Sequence, residues 1–125
     1  MTDTEMNLAL CEKLGWTEIK QRPDVNGILA WSGIVPNAQE FDSQGALEIA
    51  FSLPNHFSDS ASGLWACHEA EKGLTDEQHC QFRAELFRLI KSDHKGQFIL
   101  IGPREYISAP APQRARALYL TLCQP

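Results

Sequence analysis

The run His68-Glu69-Ala70-Glu71 places an imidazole and two carboxylates close together, and these residue types serve general acid–base chemistry. The spacing argues against that use. A zinc site of the H-E-x-x-H kind needs a second histidine at position 72, where Lys72 stands. Glu69 and Glu71 fall about 200° apart on a helix, so they form no carboxylate pair on one face. Solvated helix-face charge is the expectation for both. His56 with Ser58-Asp59-Ser60 supplies the members of a nucleophilic triad, but a triad also needs an oxyanion hole, and helix capping accounts for the Ser and Asp. Cys67-His68 and His79-Cys80 carry zinc-ligand chemistry, yet neighbours on a helix diverge by about 100° and rarely hold one ion. No C-x-x-C pair, Gly-rich phosphate loop or G-x-S-x-G elbow occurs. No catalytic residue, metal or cofactor is therefore expected, and Cys11, Cys67, Cys80 and Cys123 read as free thiols among apolar residues.

Arg104, Arg114 and Arg116 form the basic end of the chain. Arg114 and Arg116 fall in the first turns of the last expected helix, where free N–H groups favour anions. They are the candidate anion contact; the alternative is surface arginines with solvated charge. Trp16, Trp31 and Trp65 are expected in the core or against a hairpin, and one left exposed would mark a contact surface.

The elements that must position these groups follow from periodicity and breakers. Residues 3–14 read as a helix capped by Thr2 or Asp3 and stopped by Gly15. Residues 16–20 and 28–31 read as a hairpin around the turn-rich 22–27. Residues 32–46 read as loop, and the alternation of Leu47, Ile49, Phe51 and Leu53 as a strand. A helix over 59–73, capped by Ser58 or Asp59, should turn Ala61, Leu64, Trp65 and His68 to one face. Thr75-Asp76-Glu77-Gln78 is a capping box opening a helix that carries Phe82, Leu86, Leu89 and Ile90 as far as Asp93. Phe98-Ile99-Leu100-Ile101 reads as a strand apolar on both faces, which requires cover on both faces. Tyr106-Ile107-Ser108 reads as its short partner strand. Pro112 introduces a last helix with Ala115, Leu118, Tyr119 and Leu122 inward. The fold class expected is α/β (α+β): a three-layer αβα sandwich, its mostly antiparallel or mixed sheet having about four or five strands with helices on both faces.

The 125 residues suit one domain, 1–125, and 43% hydrophobic with 22% charged residues excludes whole-chain disorder. No apolar run approaches the roughly 20 residues that span a bilayer. The acidic start, Met1 to Glu5, lacks the basic and apolar regions of a signal peptide, so a reducing cytoplasm is expected. Charge is uneven. Residues 1–82 hold 4 basic and 13 acidic side chains, and residues 83–125 hold 7 basic and 3 acidic. An acidic surface that attracts a basic partner is one reading; acids placed in helix first turns and loops for solubility is the other. Either way, no basic run exists to neutralise a phosphate backbone, so direct nucleic-acid binding is not expected.

Leu53-Pro54-Asn55-His56-Phe57-Ser58-Asp59, then Trp65-Ala66-Cys67-His68-Glu69-Ala70-Glu71-Lys72, resembles the small phage and prophage proteins grouped as the phage ABA-sandwich domain. The Ala-rich stretch 109–118 resembles that family's closing helix, and Glu12-Lys13-Leu14-Gly15-Trp16 its first helix end. The pieces cover roughly half the chain. The resemblance implies a three-layer helix–sheet–helix fold and a phage origin, and brings no active site.

The function expected is a non-enzymatic, phage-encoded binding protein that inhibits a host defence protein, as an anti-CRISPR or other anti-defence inhibitor does. Its partner would be a basic nucleic-acid-processing protein, met through Glu40, Asp42 and Glu48 in the irregular acidic stretch. A homodimer is a second arrangement; no membrane partner is expected. The alternative function is sequestration of an anionic small molecule or nucleotide at Arg114 and Arg116.

Overall fold

The computed structural model describes residues 1–36, 50–93 and 103–123. Among them the chain runs α1 (Asp3–Lys13), β1 (Thr17–Pro23), β2 (Leu29–Ile34), β3 (Phe51–Ser52), α2 (Ala61–Lys72), α3 (Asp76–Ser92), α4 (Pro103–Ser108) and α5 (Ala111–Leu122). It is a mixed α+β fold with a three-stranded antiparallel sheet in the order β1-β2-β3. No helix of the described residues is long and apolar enough to cross a membrane.

Local chemistry sets the helix ends. The Thr2 hydroxyl accepts from Glu5 N–H and caps α1. At the other end Gly15 takes φ +107°, Gly15 N–H bonds the Glu12 carbonyl and Trp16 N–H bonds the Cys11 carbonyl. That paired closure is a Schellman motif, and the left-handed position favours glycine. The motif turns the chain sharply, so Trp16 starts back beside α1. The capping box forms as read: Thr75 accepts from Gln78 N–H while the Gln78 side chain accepts from Thr75 N–H.

The hairpin is longer than its apolar residues suggested. β1 runs on to Pro23, and β2 continues through Ser32-Gly33-Ile34, where the sequence pattern predicts a loop. These residues are buried, and Ser32 and Gly33 pair with β3, so the ladder extends the strand. A bulge between Thr17 and Lys20 holds Glu18 at φ +50°. Arg22 bridges it, donating to the Glu18 carbonyl and to both the carbonyl and hydroxyl of Ser32. Of the strand expected from Leu47 to Leu53, β3 is the paired part among the described residues; residues 47–49 lie outside them, as does the expected strand Phe98–Ile101.

Two helical expectations change. Tyr106-Ile107-Ser108 belongs to helix α4, not a strand. A proline at the first helical position suits the missing N–H, and the carbonyls of Tyr106 and Ile107 find a side-chain donor instead of a ladder. In α2 the cap is Ser60, one residue beyond Asp59, and accepts from Gly63 N–H. The inward residues are Gly63, Ala66, Cys67, Ala70 and Glu71, whereas Trp65 is 64% exposed. Small side chains let α2 lie close to α5. At Gly63 a Cβ would stand 2.0 Å from the Ser58 carbonyl oxygen, so only glycine fits.

The described core is helix on helix. Met6 and Leu10 of α1, Phe82, Leu86 and Ile90 of α3, and Ala115 and Leu118 of α5 meet in one cluster with Phe57 and Cys67. α5 packs against α1, α2 and α3. Burying a large apolar side chain contributes about 1.5–3 kcal/mol, so this cluster is the main stabilising unit.

Candidate functional site

Asn7 and Cys11 are one helical turn apart on α1, and both reach the Pro54 carbonyl. Asn7 Nδ2 donates to it at 3.0 Å, while Asn7 Oδ1 accepts from the His56 backbone N–H at 3.1 Å and lies 2.9 Å from His56 Nδ1. From α2, Cys67 Sγ donates to the His56 carbonyl at 3.2 Å. The segment 54–57 is thereby stitched between two helices, and His56 is 2% exposed. Burial lowers its pKa from 6.5 to about 4. The same burial pushes the thiols of Cys11 and Cys67 up to about 12, with Glu71 a further cause at Cys67. Both are poor nucleophiles in this state. All four cysteines are free, and Cys80 is exposed.

His56 opens onto a groove of about 390 Å³. Trp16, Leu14 and Pro36 line it from the N-terminal segment, Pro54 and His56 from the stitched loop, and Trp65, Ala66, Glu69 and Ala70 from α2. Its volume lies in the range of small-ligand and side-chain pockets. Glu69 bonds Lys72 at 2.8 Å on the exposed side of the helix. A second hollow of about 350 Å³ lies among Asp3, Thr4, Trp31, Ser52 and Asn55.

The charged residues singled out from sequence are arranged differently. Arg114 is 1% exposed and Glu71 is 8% exposed, and their side chains meet at 2.9 and 3.0 Å. This corrects two expectations, that Glu71 is solvated and that Arg114 is a surface arginine. Arg114 also donates to the carbonyls of Tyr106, Ile107 and Ala109, and its guanidinium lies 5.1 Å from the Tyr106 ring centre. The donors of the guanidinium are thus engaged inside the protein. Arg116 is exposed and does not join it, so the structure does not assemble the two into one anion contact. His68 stands 3.6 Å from Glu71, at the edge of the pair. Glu40, Asp42 and Glu48, the expected protein-contact residues, lie outside the described residues.

Sequence reasoning missed the Asn7–His56 pair and the Glu71–Arg114 pair, each joining residues more than forty positions apart. No local pattern announces such partners. Trp65 stands exposed, as a tryptophan of a contact surface would. Among the described residues no group of three or more His, Cys, Asp or Glu side chains could hold a metal ion. No protein family, curated protein or solved structure matches the chain.

Proposed function

We propose that this is a non-enzymatic binding protein that docks on another protein through the Trp16–Trp65 groove and inhibits it. The observation that carries the reading is Trp65, 64% exposed on the wall of a concave, mostly apolar groove. Exposed tryptophans beside a pocket are typical anchors of protein interfaces, and leaving one in water has a cost that a partner removes. The resemblance to phage proteins supports a host defence protein as the target, met in the host cytoplasm. The acidic balance of residues 1–82 supports a basic one. A fuller sheet of four or five strands with helices on both faces belongs to this proposal, supported by the apolar run Phe98–Ile101 in the sequence.

Immobilised wild type, Trp65→Asp and Val25→Asp are compared for capture from host extract, and the captured protein's activity is then assayed with each. Val25 is fully exposed on the hairpin and does not line the groove. Wild type and Val25→Asp should retain and inhibit the same protein, and Trp65→Asp should do neither. Retention and inhibition unaffected by Trp65→Asp overturn the reading.

A further inference from the structure

The floor of the groove carries a directional signal that its apolar walls lack. The Pro54 carbonyl can only accept, so the Asn7 atom bonded to it is the amide nitrogen. Oδ1 is then the atom that faces His56, and it accepts from the backbone N–H and from the ring. Two lone pairs do not bond each other, so Nδ1 carries the ring proton and Nε2 is a bare acceptor. Nε2 bonds no described residue, yet no buried side-chain nitrogen or oxygen among them is sealed away without a partner. Nε2 therefore keeps accessible surface in a residue that is otherwise 98% buried and lines the groove. With its pKa lowered to about 4, the ring stays an acceptor through neutral pH.

The groove thus offers a lone pair at the floor, the Glu69 carboxylate at the rim, two indoles and two proline rings. An anion would meet the lone pair and the carboxylate, and both repel it. An aliphatic side chain would fill the walls and leave Nε2 unmet. A lysine ammonium is compact and strongly hydrated, whereas a guanidinium is flat, weakly hydrated and carries donors along several edges. Its flat face suits an indole, and its edges serve two acceptors at once. Glu69 already pairs with Lys72, but that pair is exposed, with side chains 42% and 72% accessible, and yields readily to a competing cation.

Resting on the docking reading above, we infer that the groove receives an arginine side chain of the partner protein, which donates to His56 Nε2 and to Glu69 and lies against the indoles of Trp16 and Trp65. The stem methylenes of that arginine pack on Pro36, Pro54 and Ala66. The acidic N-terminal two-thirds of the chain steers such a segment inward.

The probe is N-acetyl-arginine N-methylamide, titrated into isotope-labelled protein, with the isosteric but neutral citrulline amide as its counterpart. The indole N–H signals of Trp16 and Trp65 and the His56 Nε2 resonance report binding, and Trp31, outside the groove, serves as the reference. The arginine probe should shift all three reporters saturably and leave Trp31 in place. The citrulline probe should bind about tenfold more weakly, the scale of one charge-assisted hydrogen bond. Glu69→Gln and Trp65→Ala, both at exposed positions, should each weaken the arginine probe several-fold without altering the fold. Equal binding of the two probes, tryptophan shifts with an unmoved His56 Nε2, equal binding of an N-acetyl-aspartate amide, or no saturable response overturns the inference. If the arginine probe fails while Trp65→Asp still abolishes capture, the occupant is wrong and docking stands. If Trp65→Asp leaves capture intact, docking itself falls.

Discussion

His56 sits in a loop between Asn55 and Phe57, and three bonds from two helices decide what its ring can do. Held neutral by burial, it makes the protein sensitive to acid. Its pKa is about 4 in the folded chain against 6.5 when unfolded, so between those values the unfolded chain binds a proton that the native chain lacks. Stability is therefore full above about pH 6.5, declines as pH falls toward 4, and levels off below. The loss attributable to this group is at most about 3 kcal/mol. Urea midpoints measured from pH 7.5 downward should trace the decline, and ring signals of His56 should show no protonation until near pH 4. A ring titrating near 6.5 contradicts the account. The sequence offers His56 as a triad candidate and within a run that resembles a phage family. It did not reveal the tautomer, because that depends on an amide 49 positions away.

At the scale of elements, the orientation of α2 is the instructive case. Periodicity turns Ala61, Leu64, Trp65 and His68 to one face. Here Gly63, Ala66, Cys67 and Ala70 face in with Leu64 half-buried beside them, since the Ser58 carbonyl stands against Gly63 and α5 lies close to Cys67. The rotation carries Glu71 inside, where Arg114 meets it, and puts Trp65 outside. Arg114 in turn bonds the last carbonyls of α4, so one side chain ties α2, α4 and α5 together. Arg114→Met should cost about 3–5 kcal/mol, because it strands a buried carboxylate and frees those carbonyls. Arg114→Lys should recover little, as one ammonium cannot reach acceptors spread around a guanidinium. Pairing Arg114→Met with Glu71→Leu should restore part of the loss. Urea unfolding of the three variants checks this series, and a loss below about 1 kcal/mol for Arg114→Met contradicts it.

Over the whole molecule, charge is the property that reaches furthest. Association with a basic partner should slow as ionic strength rises from 0.01 M, where the Debye length is about 30 Å, to 0.15 M, where it is about 8 Å. Stopped-flow rates with the captured partner measure it, and a rate indifferent to salt removes the steering argument. By itself the sequence determined the helix ends at Gly15 and Thr75, the hairpin turn, the apolar stripe of α3 and the acidic imbalance. Each of these depends on neighbours within a few positions or on composition alone. The tertiary structure decided which way α2 faces, that Tyr106 to Ser108 coil into a helix, and that Arg114 is buried with Glu71. It also decided that His56 is buried and lines a groove beside an exposed Trp65. Those outcomes rest on contacts between residues distant in the chain, where close packing and the need to satisfy every buried polar group outweigh local propensity.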